Sequence, residues 1–134
     1  MQHRDVIFNS DMSGVRLHLG LQAKMSRLRS HRGMPDLMIY EKRGNFGALF
    51  LELKPDGTRI LRKDKQLTAN VHIREQAEIL MKLTLKGYCA NFAVGIDEAM
   101  AVINWYLEPE ALFMVTAYPG VDYLKPLRNG IRTK

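Results

Sequence analysis

The sequence predicts an α/β fold, with short apolar strands alternating with amphipathic helices. Three observations carry this reading. The run Ala48-Leu49-Phe50-Leu51-Glu52-Leu53-Lys54 has the length and bulk of a buried strand. Residues His72 to Leu85 place Ile73, Ala77, Leu80, Met81 and Thr84 on one side at helical spacing, and Gly87 follows as a stop. Tyr88 to Val94 is again an unbroken apolar run with strand character.

The remaining elements follow in order. Val6-Ile7-Phe8 is a short strand candidate, and the polar stretch Asn9 to Ser13 leads into a second periodic segment. There, between Val15 and Ser30, Leu17, Leu21, Met25 and Leu28 recur at helical spacing until Gly33 and Pro35 end it. Leu37-Met38-Ile39-Tyr40 is a further strand, joined to the 48–54 run by turn residues Gly44, Asn45 and Gly47. Pro55-Asp56-Gly57 is a sharp turn. Residues 58–71 are polar and basic and read as a loop. Asp97 is placed to cap a helix from Ala99 to about Leu107, which Pro109 stops. Residues 110–134 form a tail with an apolar start (Ala111 to Val115) and a basic end (Lys125, Arg128, Arg132, Lys134).

At 134 residues, 46% of them hydrophobic, the chain suits one core. Domain limits of 1–107 for the main unit and 108–134 for an extension, packing on the core or on a second subunit, are expected. No apolar stretch has the roughly 18–20 residues of a membrane span, and the N-terminus lacks the apolar region of a signal peptide. The single cysteine, Cys89, excludes an internal disulfide and reads as a buried thiol, so a cytoplasmic protein is expected. The histidines at 3, 18, 31 and 72 lack zinc-like spacing, and no Walker-type phosphate loop is present.

The formal charge is +6 and the pI about 9.6. Its distribution is more telling than its sum. From Met12 to Pro35 there is no acidic residue, while Arg16, Lys24, Arg27, Arg29 and Arg32 are all present. A second cluster, Arg59, Arg62, Lys63 and Lys65, follows Lys54. Basic residues flanking one region on both sides favour nucleic acid as the partner.

That region carries the candidate chemistry. Side chains alternate along a strand, so Glu52 and Lys54 leave the 48–54 run on one face. A hairpin through residues 44–47 brings Asp36 toward Glu52. Two carboxylates are a common complement for Mg²⁺, which keeps several waters, and a neighbouring lysine orients or activates an attacking water or offsets charge on a phosphate. A lone E-x-K is usually a solvated pair of little consequence. The upstream Pro35-Asp36 and the apolar strands set this one apart. Gln76 shares the inward side of its helix and requires a polar partner there.

In this order, Gly33-Met34-Pro35-Asp36, Glu52-Leu53-Lys54, a helix carrying Gln76, then Gly87-Tyr88 and Gly95-Ile96-Asp97-Glu98-Ala99, the sequence resembles the VRR-NUC branch of the PD-(D/E)xK nucleases over residues 6–107. The resemblance implies a restriction-endonuclease-like core, a mixed β-sheet flanked by helices. It implies a metal-dependent DNA endonuclease in which Asp36, Glu52 and the Leu53 carbonyl hold Mg²⁺ or Mn²⁺. Lys54 would then position the water and Gln76 would act beside the metal or on substrate. Small stand-alone phage and bacterial members imply a homodimer cutting branched DNA, a Holliday junction or flap, to leave 5′-phosphates. One departure is evident: the acidic residue expected ahead of the first strand has no counterpart, since no glutamate precedes Glu41. A nucleic-acid-binding protein of this fold with little activity is the alternative, and a structural or assembly protein a third.

Overall fold

The computed structural model describes residues 6–10 and 34–132. The elements are β1 (Phe8–Ser10), β2 (Leu37–Ile39), β3 (Leu49–Lys54), α1 (Val71–Leu85), β4 (Cys89–Val94), α2 (Ile96–Tyr106), α3 (Glu110–Phe113) and α4 (Lys125–Arg132). The strands form one sheet in the order β1-β2-β3-β4. The β1–β2 and β2–β3 pairs are antiparallel and the β3–β4 pair is parallel. A mixed sheet with flanking helices is the α/β, restriction-endonuclease-like architecture expected. The helix expected between Val15 and Ser30 lies outside the described residues.

β3 is buried because it is covered on both faces, as strands in parallel pairing are. Leu49 and Leu51 join Leu37, Ile39, Cys89 and Ala93 beneath Ala99, Val102, Trp105 and Tyr106 of α2. On the other face Phe92 packs with Ile73, Ala77, Leu80 and Met81 of α1. The parallel β3–β4 pair requires a crossover, which α1 supplies. The β2–β3 connection closes between Arg43 and Phe46, whose backbones exchange hydrogen bonds of 2.9 and 2.8 Å. Gly44 takes φ +54° at the turn, and a Cβ there would meet the Phe113 ring at 3.1 Å.

Residues 58–70 are a loop, as expected, but an anchored one, and Val71 already belongs to α1. Thr68 N–H donates to the Ile60 carbonyl at 2.9 Å and Arg62 N–H to the Gln66 carbonyl at 2.7 Å, around a Leu61–Leu67 bridge. Ile60 and Leu67 are buried among the α1 side chains, so two apolar residues hidden in a polar stretch turn it into an anchored hairpin. Asp97 does not cap α2. The helix starts at Ile96 with Gly95 (φ +82°) at the cap position, and Asp97 lies with Glu98 in the first turn, where the helix dipole favours negative charge. α1, by contrast, has a side-chain cap just outside the segment expected to be helical: Asn70 Oδ1 accepts the Ile73 N–H at 3.0 Å.

The chain after Pro109 enters both core clusters. Phe113 stacks 4.7 Å from Trp105, between ring centroids, and joins the α2 cluster. Tyr123 and Leu124 join the α1 cluster. Within the expected apolar stretch of the tail, only Phe113 is buried; Leu112, Met114 and Val115 are exposed. No helix among the described residues is long and apolar enough to cross a membrane.

Burial raises the Cys89 thiol from 9.0 to about 12, and it raises the Tyr106, Tyr118 and Tyr123 hydroxyls as well. Raised folded-state values mean that the unfolded chain loses these protons first. Stability is therefore full below about pH 9 and falls as pH rises above it. Two results are expected: Cys89 stays unreactive toward a thiol reagent at pH 8 until denaturant is added, and the melting temperature declines from pH 9 upward. A melting temperature flat to pH 11 would contradict this assignment.

Candidate metal and phosphodiester site

The site is built where β2 begins and β3 ends. The register pairs Leu37 with Leu51 and Met38 with Phe50. Continuing it by one residue sets Asp36 across from Glu52. Opposed residues of an antiparallel pair point to the same face, with Cβ atoms about 4.5–5.5 Å apart. Lys54, two residues beyond Glu52 on β3, leaves from that face too. The structure therefore brings together the three side chains that the sequence singled out.

Each is held differently. Asp36 is half-buried, and its Oδ2 accepts the Leu53 N–H at 2.9 Å. The side chain replaces the strand partner that β2 no longer offers. Glu52 is 5% exposed, one of two buried polar or charged residues among those described. A buried carboxylate requires hydrogen bonds, and Gln76 Nε2 donates one to Glu52 Oε1 at 2.8 Å. α1 supplies Gln76 because Ile73, Ala77 and Leu80 pin that side of the helix to the sheet. Lys54 is half-buried at the strand end.

Two further oxygens face this place. Lys54 O accepts the Gly95 N–H at 2.9 Å and so points toward β4. Successive carbonyls of a strand alternate sides, so the Leu53 carbonyl points toward β2, the side of Asp36. The Gln76 Oε1 atom is buried without a hydrogen-bond partner.

Asp36, Glu52 and the Leu53 carbonyl are all hard oxygen donors. That composition fits a cation such as Mg²⁺ or Mn²⁺, which needs only one or two protein carboxylates and keeps water for the rest. The orphaned Gln76 oxygen supports the fit, because a water bound at such a cation would supply the missing donor. Among the described residues no group of three His, Cys, Asp or Glu side chains is placed to hold a metal.

Arg16, Lys24, Arg27, Arg29 and Arg32, the expected nucleic-acid-binding residues, lie outside the described residues. The second basic cluster is described: Arg59, Arg62, Lys63 and Lys65 are exposed on the 58–68 hairpin. Arg62 is engaged with Asp64 at 2.9 Å.

No family model matches the chain, and neither does any curated protein. Among solved structures, a VRR_NUC domain protein is similar at 34% sequence identity with a TM-score of 0.47. The match covers 69% of this chain and spans 66% of the length of that one.

Proposed function

Starting from a chain whose fold is VRR-NUC-like, we propose that it is a metal-dependent DNA endonuclease that hydrolyses phosphodiester bonds, with branched DNA such as a four-way junction or flap as preferred substrate and a homodimer as the working form. The observation that carries the reading is the convergence of Asp36, Glu52 and Lys54 on one sheet face, with Gln76 tied to Glu52. That constellation matches the chemistry of phosphodiester hydrolysis.

Asp36, Glu52 and the Leu53 carbonyl would hold Mg²⁺ or Mn²⁺. When bound, the ion would lower the pKa of a water and stabilise charge on the phosphate. The protein's own parts divide the remaining work. The Leu53 N–H fixes the Asp36 carboxylate against β3. Gln76 fixes the Glu52 carboxylate by donating to it. Lys54 directs its ammonium to the same face, where it orients the attacking water or offsets charge on the phosphate.

The test is incubation of the full chain with supercoiled plasmid and with a synthetic four-way junction, in Mg²⁺, Mn²⁺ or EDTA. Cutting in either metal but not in EDTA, faster on the junction than on its linear arms, is expected. Tight binding without cutting in any metal would replace the nuclease by a DNA-binding protein of nuclease fold. Gln76→Leu is expected to lower the cutting rate by roughly 10–100-fold and raise the Mg²⁺ concentration needed for half-maximal rate, as loss of a partner to a ligand does. An unchanged metal dependence would remove Gln76 from the site.

A further inference from the structure

The anchored 58–68 hairpin and α4 are about sixty residues apart in sequence, yet they face each other across a groove of about 410 Å³. Leu61, Lys65 and Gln66 line it from the hairpin, and Val121, Lys125 and Asn129 from the C-terminal segment. The juxtaposition is fixed from beneath. Ile60 and Leu67 of the hairpin share one buried cluster with Tyr123 and Leu124, the two residues just before α4.

The charge balance of the groove is one-sided. The one acid that lines it, Asp122, and the hairpin's own acid, Asp64, are both held by arginines. Asp64 accepts from Arg62 and from the Gln66 N–H, and Asp122, which lines the groove, accepts from Arg128 through both terminal guanidinium nitrogens. No ion pair among the described residues engages Arg59, Lys63, Lys65 or Lys125, and all four are exposed. Lys65 is also held at φ +68°, a conformation unusual for a side-chain-bearing residue, by the turn in which its N–H donates to the Arg62 carbonyl. The hairpin follows in sequence from the Pro55–Thr58 turn after Lys54.

We infer that this groove is a second phosphate-binding surface, on which the hairpin and α4 together hold the sugar-phosphate backbone of DNA as it extends from the metal site. Lysines on both walls attract the phosphates, and the apolar floor of Leu61 and Val121 accommodates the sugars. The inference rests on the DNA substrate proposed above. It adds a binding surface formed by two segments, and neither alone shows more than a run of basic residues.

The test is binding of a fluorescein-labelled duplex, in EDTA so that nothing is cut, over a series of salt concentrations. Lys65→Gln with Lys125→Gln is expected to weaken binding at low salt by about 5–20-fold and to reduce the slope of log affinity against log salt by about 2, one unit for each phosphate no longer neutralised. Lys65→Arg with Lys125→Arg should bind as the wild type does. Lys82→Gln with Lys86→Gln removes equal charge at the C-terminal end of α1, from residues that do not line the groove, and should leave the slope unchanged. An equal loss in that control, or an unchanged slope in the Lys65/Lys125 variant, overturns the groove. The nuclease reading is scored separately. A wild type that cuts DNA while the Lys65/Lys125 variant binds normally refutes the groove alone. A wild type that never cuts while this variant loses binding refutes the nuclease alone.

Discussion

Lys54→Met should abolish detectable DNA cleavage, by a factor of roughly 10²–10⁴, while leaving DNA affinity and folding close to the wild type. The range is that of a side chain assisting proton transfer or charge stabilisation in the transition state; a thousandfold loss corresponds to about 4 kcal/mol of barrier. Methionine keeps the aliphatic stem that half-buries Lys54 at the end of β3 and removes only the ammonium. Asp36→Asn is the companion variant. Its amide oxygen can still accept the Leu53 N–H that Asp36 now accepts at 2.9 Å, so the strand end keeps its geometry while the charge proposed to hold the metal is lost. It should cut only at raised Mg²⁺ or Mn²⁺, whereas Lys54→Met should not be rescued by more metal. The readout is single-turnover cleavage of the junction across a metal titration, beside binding in EDTA. Full activity in Lys54→Met would separate the E-x-K motif from the chemistry.

The parts of this site that are legible in the sequence share one property: each depends on residues that are near neighbours in the chain. The alternation of β3 puts Glu52 and Lys54 on one face, and the Gly44 turn brings β2 back alongside it, so Asp36 meets Glu52 through a short hairpin. The helical period of α1 turns Gln76 inward, which makes its need for a polar partner readable, although not the identity of Glu52 as that partner. What stays hidden depends on distant residues or on exceptions within polar stretches. Ile60 and Leu67 are isolated apolar residues among charges, and only the α1 side chains above them explain why the 58–68 segment is anchored. The Gly95 start of α2 is obscured by Asp97, a residue with better capping chemistry in the wrong position. The Leu53 N–H, donated to an aspartate side chain instead of a strand partner, follows from where β2 stops, which residue patterns do not mark to within one position.

Ending the chain after Leu107 should destroy its cooperative fold, although the sequence resemblance ends there. The extension expected after residue 107 is one that packs on the core or on a second subunit. Within this chain it meets both layers of the core. Phe113 closes an aromatic group with Trp105 and Tyr106, at ring distances of 4.7 and 5.8 Å, while the Trp105 indole N–H donates to the Thr116 carbonyl at 3.1 Å. On the opposite face, Tyr123 and Leu124 complete the cluster that holds α1 and the 58–68 hairpin. Deleting a buried phenylalanine side chain costs about 3–5 kcal/mol and a buried leucine about 2–5. Removing both, with Tyr123, rivals the roughly 5–15 kcal/mol that stabilises a typical domain. Phe113→Ala and Leu124→Ala test the two faces separately. Each should lower the denaturant midpoint with little change in slope, and because the residues lie in different clusters their costs should nearly add. The truncated chain should show no cooperative melting transition. A truncated chain that melts cooperatively near the wild-type temperature would make the tail a dispensable extension. Since Gln76 is aimed at Glu52 by the helix this second cluster supports, Leu124→Ala should also impair Mg²⁺-dependent cleavage more than Phe113→Ala does at equal residual stability.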